Sequence, residues 1–190
     1  MSLPPIGLDM DGVVVSPPLG WNFSISRRLD AAPLTATERA AVEREDGVHA
    51  TGGLHWLITA ARYSFRRSLP GVGAAVAALA AKREVHIVSA RSAANRRYVE
   101  GWLAGQGLLP HITAIHLNAA GLTPARFKLA TLTKLGITEH VDDDGATAYY
   151  LASQAGVSVY LCDWPRNRDL PYPASVRRVA SLREVAPLLA

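Results

Sequence analysis

A single cysteine, Cys162, stands among 190 residues, which excludes an internal disulfide and any zinc cage built on cysteines. It reads as a buried free thiol in a reducing compartment. Charged residues make up only 19% of the chain against 49% hydrophobic, a balance that excludes global disorder and allows a sizeable core. No apolar run reaches the roughly 18 residues of a membrane span. No basic segment leading into an apolar one opens the chain, so neither membrane association nor secretion is expected, and the expected location is cytoplasmic. Basic residues exceed acidic ones, for a net charge of +4. They fall in scattered pairs (Arg27 and Arg28, Arg66 and Arg67, Arg96 and Arg97, Arg177 and Arg178) rather than in a stripe. That spacing argues against a nucleic-acid polymer as partner and suits an enzyme drawing in small anions. The length predicts one domain, as a monomer or homodimer, with room for a small insert.

Strand-like and helix-like segments alternate, the pattern of a parallel sheet with helices on both faces. Strands are predicted at Ile6 to Met10, Val85 to Val88, Ile112 to Leu117, Thr138 to Val141 and Val157 to Leu161. Helices are predicted at Gly71 to Lys82, Asn95 to Gly105, Thr123 to Leu135 and Ala146 to Ala155, with a last one from near Ser181. Thr123 is the expected N-cap of its helix, with Pro124 at the first helical position and Gly136 as the stop. Between Val15 and Leu69 the rhythm breaks. Two helical patterns, at about Thr35 to Arg44 and Leu54 to Arg67, suggest a helical cap inserted over residues 16–69, leaving 1–15 and 70–190 as the core. The expected fold is thus α/β, a Rossmann-like three-layer sandwich with a five-stranded, mainly parallel sheet and a small helical cap after the first strand.

Ligands of an open parallel sheet bind at the carboxyl ends of its strands. There this sequence places Asp9, Asp11 and Gly12 after the first strand, Ser89, Ala90 and Arg91 after the second, and Asp142, Asp143 and Asp144 after the fourth. Lys128 lies in the helix before that fourth strand. One Asp-x-Asp-Gly turn has an ordinary structural explanation. Acids at two separate strand ends, with a hydroxyl and a lysine between them in sequence, do not. Carboxylates converging in one cleft repel strongly at low effective dielectric. A hard cation relieves that repulsion, and oxygen ligands leaving room for water and phosphate suit magnesium.

Gly-Leu-Asp-Met-Asp-Gly-Val-Val, from Gly7 to Val14, resembles the first motif of the haloacid dehalogenase (HAD) superfamily. His86-Ile87-Val88-Ser89-Ala90-Arg91 resembles the second, Lys128 the third, and Val141-Asp142-Asp143 the fourth. The resemblance implies a phosphatase in which Asp9 is the nucleophile and Asp11 the general acid and base. It implies that Ser89, Ala90 and Lys128 bind the phosphoryl group of a small phosphorylated substrate. Magnesium would be held by Asp9, by Asp11 through its main-chain carbonyl, and by Asp142 and Asp143. Three consecutive aspartates leave the register of this last motif open, with Asp144 a candidate cap for the next helix. Lys134 is the other lysine of the helix that carries Lys128.

Candidate substrate-binding residues are Arg91, Trp56 and Arg166. Aromatics of the insert (Trp21, Phe23, Trp56, Tyr63, Phe65) read first as core, and Arg62, Arg66 and Arg67 as a solvated face from which one could reach a second anionic group. His49 and His55 lack the partners of a metal site. Cys162-Asp163-Trp164-Pro165-Arg166-Asn167-Arg168 resembles the Pro-x-Asn-Arg loop of the HAD 5′(3′)-deoxyribonucleotidases, which implies a (deoxy)nucleoside monophosphate. A sugar phosphatase is the alternative within this class. A non-catalytic HAD-like binding module is the alternative outside it, and the intact acid, hydroxyl and lysine set argues against that.

Overall fold

Six short strands pair into one sheet in the computed structural model, which describes residues 2–17, 29, 31–43, 66–154 and 156–189. The strands are β1 (Pro5–Leu8), β2 (Glu84–Ser92), β3 (Ala114–Asn118), β4 (Glu139–Asp142), β5 (Ser158–Cys162) and β6 (Val176–Val179). The helices are α1 (Ala36–Glu43), α2 (Val72–Ala80), α3 (Arg96–Gly105), α4 (Pro124–Leu135), α5 (Gly145–Ser153) and α6 (Val185–Leu188). Strand order is β3-β2-β1-β4-β5-β6, and every adjacent pair is parallel.

The chain builds outward from β1 in one direction through β3, then returns to the other side of β1 for β4 to β6. β1 therefore sits at the switch point, where such sheets open a crevice beyond their carboxyl ends. Its neighbours on either side are β2 and β4. That adjacency alone brings Asp9 between the ends of the strands that carry Ser89 and Asp142.

The sheet has six strands, not the five predicted. β6 was missed because its sequence, Val-Arg-Arg-Val, lacks the apolar run of a buried strand. It is an edge strand, and its two arginines remain exposed, a pattern that guards a sheet edge against further pairing. β2 also runs past its predicted end at Val88 to Ser92, so that Ser89 to Arg91 lie within the strand. Thr123 stands at the N-cap of α4, but its side chain makes no capping bond there, contrary to expectation; Pro124 and the left-handed Gly136 bound the helix as predicted. The final helical segment is a short 3-10 turn over Leu182–Glu184 followed by α6.

Two apolar layers enclose the sheet. Ile6, Leu8, Val85, Ile87 and Val141 pack on one face against Val76 and Leu79 of α2 and Val99 and Leu103 of α3. Val88, Val159 and Leu161 pack on the other against Phe127 and Leu132 of α4 and Leu151 of α5. Alternation along β1 turns Gly7 toward the α4 side, where a Cβ would stand 2.5 Å from His140 Nδ1 and 2.9 Å from Leu132 Cδ2. The missing side chain makes room for a buried histidine. Gly7→Ala is accordingly expected to cost about 1–3 kcal/mol by overpacking, read as a lower urea midpoint. An unchanged midpoint would show that the ring has space to move.

The described parts of the predicted insert meet the core at two places. Ser16 N donates to Arg67 O at 2.8 Å and Leu69 N to Val14 O at 3.1 Å, so its two ends run side by side beyond β1. Helix α1 lies against α4, with Leu34 buried and Glu38 paired to Arg126 at 2.8 Å. Thr35 and Glu38 cap α1 reciprocally, each main-chain N–H bonding the other's side chain. The second predicted helix of the insert, and Trp21, Phe23, His49, His55, Trp56, Arg62, Tyr63 and Phe65, lie outside the described residues. Among the described residues no helix is long and apolar enough to cross a membrane.

Candidate active site

Asp9 follows β1 directly and continues its pairing: its N–H donates to Val141 O at 3.0 Å. The next residue, Met10, is fully buried. The chain then turns sharply, with Gly12 N donating to Val15 O and Val15 N to Met10 O. Gly12 sits at φ 73°, the left-handed region that glycine enters without strain. Trp164, from the loop after β5, donates its indole N–H to Gly12 O at 3.1 Å and so braces the turn. The result holds Asp9 and Asp11 on one short, fixed segment.

Lys128 reaches this point from α4. Its Nζ lies 3.1 Å from Asp9 Oδ2 and 2.7 Å from Asp142 Oδ2. Lys134, two turns on, instead donates to Val42 O at 3.4 Å, away from the acids. His140 Nε2 shares Asp142 Oδ2 at 3.0 Å, while Asp142 Oδ1 accepts the main-chain N–H groups of Asp143 and Asp144. Four protein groups thus contact the Asp142 carboxylate. Asp142 is thus the anchor that holds Lys128 in place inside the fold.

Burial and charge set opposite trends on neighbouring acids. Burial pushes the Asp9 carboxyl up, Asp142 and Asp143 push it further, and Lys128 only partly offsets them, leaving it at about 7. Burial acts on Asp142 in the same sense but is outweighed there, since Lys128 and His140 hold its carboxyl below the usual carboxylate range. Burial would lower the Lys128 ammonium, but Asp142 and Asp9 hold it above its ordinary value, so it stays charged. His140 is pushed down by burial and is neutral. Cys162, the buried free thiol, is pushed up by burial and by the same acids and does not ionise near neutrality.

Asp143 is buried and faces Arg166, whose NH2 donates to its Oδ2 at 2.6 Å and to its main-chain carbonyl at 3.2 Å. Asn167 donates to the same carbonyl at 2.9 Å and to Cys162 O at 2.8 Å, which ties the loop after β5 onto the end of β4. Asp144 caps α5, accepting the N–H and hydroxyl of Thr147 at 2.9 and 2.8 Å. Asp9, Asp142 and Asp143 each offer a carboxylate oxygen within 4.8 Å of the others. Three buried hard oxygen donors, one of them strained by its neighbours' charge, suit a divalent cation such as magnesium or manganese better than a soft metal.

Asp11 points the other way. Its carboxylate takes both Nε and NH2 of Arg91, at 2.8 and 2.7 Å, and pairs with Arg66 from the returning end of the insert. Ser89 is buried at the same end of β2, with Ala90 beside it. Asp9, Asp11, Ser89, Ala90, Arg91, Lys128, Asp142, Asp143 and Arg166 thus share one end of the sheet, and Trp56 lies outside the described residues. Sequence reasoning missed His140, Asn167 and the contact of Arg66 with Asp11. His140 was within reach, because a residue two before Asp142 on a strand must share its face. A separate cleft of about 720 Å³ between α4 and the β3 edge, lined by His116, Phe127 and Lys134 among others, holds none of the acids.

No protein-family model and no curated protein matches the sequence. Solved structures do match. A HAD-superfamily hydrolase of subfamily IA from Geobacter sulfurreducens aligns over 99% of this chain and 97% of its own, with a TM-score of 0.58 and 15% identity. CbbY from Rhodobacter sphaeroides, in complex with phosphate, aligns over 96% of each chain, with a TM-score of 0.59 and 14% identity. The fold is that of the HAD-superfamily hydrolases. An L-2-haloacid dehalogenase from Xanthobacter autotrophicus, with chloropropionic acid covalently bound, aligns over 98% of each chain at 13% identity and a TM-score of 0.59. A protein with phosphate bound and a dehalogenase thus share this architecture, so the fold by itself selects no chemistry.

Proposed function

We propose that this HAD-fold protein hydrolyses a small phosphate monoester with magnesium, through an aspartyl-phosphate on Asp9. The observation that carries the reading is the buried Asp9 carboxylate, held 3.1 Å from Lys128 beside two further acids, with a second carboxylate, Asp11, on the same turn. Asp9 attacks phosphorus, and Asp11 protonates the leaving alcohol and then activates water for the second step. Ser89 and the main chain at Ala90 receive phosphoryl oxygens, and Lys128 offsets charge on Asp9 and on the phosphoryl group. Magnesium, when bound, neutralises charge between the dianionic ester and Asp9. Asp9, Asp143 and the main-chain carbonyl of Asp11 are its best ligands, since Asp142 is committed to Lys128 and His140. A dehalogenase has no need of an acid and base at Asp11, which favours the phosphatase.

The substrate class follows from the loop after β5, whose likeness to the deoxyribonucleotidase loop supports a (deoxy)nucleoside monophosphate. Arg166 and Trp164 lie there beside the acids and the Asp9 turn. The test is phosphate release from an aryl phosphate with magnesium and with EDTA, followed by a panel of dUMP, dTMP and glucose 6-phosphate. Chelation should reduce the rate roughly a thousandfold, about 4 kcal/mol of barrier, and excess magnesium should restore it. Equal rates with and without EDTA overturn the metal dependence. No release from any ester, together with no magnesium binding, overturns the hydrolase. Equal turnover of nucleotides and glucose 6-phosphate overturns the nucleotide class.

A further inference from the structure

Two guanidinium groups converge on one carboxylate at Asp11. Arg91 grips it with two nitrogens, and Arg66 pairs with the same Oδ1. Both arginine side chains are about nine-tenths buried, at 10% and 12% exposure, while Asp11 itself is 41% exposed. Arg66 Nε is buried with no hydrogen-bond partner, and the Arg66 guanidinium is pushed down to about 10 by burial and by the Arg91 charge. Two like charges so placed call for more anion than one carboxylate supplies.

A buried, unpartnered Arg66 Nε beside a part-exposed carboxylate leaves the two arginines able to take a further anion. Their backbone placement is fixed in advance: Trp102 Nε1 donates to Arg66 O at 3.0 Å, and Arg91 follows Ser89 by two residues on β2. An anion bound between them would lie on the Asp11 side of the phosphoryl site, where the leaving group sits.

We propose that Arg66 and Arg91 receive a second anionic group, a carboxylate or a phosphate, carried on the alcohol portion of the substrate. The inference rests on the hydrolase reading, in which Asp11 serves the leaving group. The guanidinium groups hold the second anion on the leaving-group side of Asp11. As the bond from Asp9 to phosphorus forms and the ester P–O bond breaks, Asp11 in its acid form gives a proton to the departing oxygen. In the second step Asp11 takes a proton from the attacking water as the Asp9–phosphorus bond breaks, and inorganic phosphate leaves. No external acid or co-reactant is needed.

The test uses Asp9→Asn protein with magnesium, which binds esters without turnover, and calorimetry on matched pairs. 3-Phosphoglycerate against glycerol 3-phosphate reads the carboxylate. Deoxyuridine 3′,5′-bisphosphate against dUMP reads the second phosphate. One of the dianion-plus-anion ligands should bind at least about tenfold more tightly than its partner, as charge-assisted, bidentate recognition gives. Adding Arg66→Gln or Arg91→Gln should erase that gap, with Arg66→Lys retaining part of it. Which pair shows the gap identifies the anion. Equal binding within both pairs, or a gap that survives both glutamine substitutions, overturns the inference whatever the wild type hydrolyses. A gap that the substitutions erase, in a protein that releases phosphate from no ester, upholds the anion site and removes the hydrolase reading instead.

Discussion

Asp9→Asn is expected to abolish phosphate release, by about a thousandfold or more, while making the metal-free protein more stable above pH 7. The first effect follows from losing the proposed nucleophile. The second follows from the electrostatics around it. Folding moves this carboxyl from its ordinary value near 3.8 to about 7, chiefly by burial and by Asp142 and Asp143. The folded state therefore binds a proton that the unfolded chain has already released, and Asp9 favours folding only while protonated. That contribution is complete below about pH 4 and lost as the pH rises to about 7. Across that window the ionised form is disfavoured by up to roughly 4 kcal/mol, at 1.36 kcal/mol per pH unit. Asparagine carries no charge, so the melting temperatures of variant and wild type should diverge from pH 4 to pH 7 and stay apart above it. Magnesium should close the gap by stabilising the wild type alone. Equal melting temperatures at pH 8 without metal would sink the account of Asp9 as a strained carboxylate. Loss of activity with retained or raised stability would separate a chemical role from a structural one.

Lys128→Met should be the most destabilising single change at the site. The methionine fills similar volume but leaves Asp9 and Asp142 facing each other in a buried setting with their shared cation gone. Removing one partner of a buried pair costs about 3–5 kcal/mol, because the remaining charge can neither reach water nor find another partner. The cost should depend on pH in a defined sense. In the wild type Lys128 helps hold Asp142 below the usual carboxylate range, so its contribution is present above about pH 4 and fades below it. Without Lys128 the acids can protonate to relieve the repulsion, so urea unfolding should show a larger deficit at pH 8 than at pH 5. A deficit under about 1 kcal/mol at pH 8 would mean that His140 and the two main-chain N–H groups suffice to hold Asp142. Added magnesium should recover part of the loss, since it supplies the missing positive charge to the same acids.

The contrast between β2 and β6 shows what a local pattern can carry. Val85 to Val88 is mostly apolar and buried on both faces, as a central parallel strand must be, and was legible from composition. Val176–Val179 pairs on one side only, so burial asks little of its sequence, and two exposed arginines hide it. The aspartates of the first and fourth motifs were legible as candidates because acids directly after apolar strands have few structural reasons to be there. Their division of labour was not. Asp142, Asp143 and Asp144 are adjacent in sequence, yet one anchors Lys128, one meets Arg166 and one caps a helix. Neighbouring residues leaving a strand point in different directions, and only the packed partners decide which role each takes.

By itself, then, the sequence determined an α/β order of elements, the carboxyl end of β1 as a place where acids gather, and the acids, hydroxyl and lysine that populate it. These depend on hydrophobic periodicity and on residue types next to strand ends, both local properties. Tertiary structure alone decided that β1 lies between β2 and β4, that Arg66 crosses 55 positions of sequence to reach Asp11, and that Arg166 reaches Asp143. Those contacts depend on how the strands are ordered and where loops return, and no local preference encodes them. The same is true of the charge state of Asp9, which is set by burial and by acids that come together only when the sheet has formed.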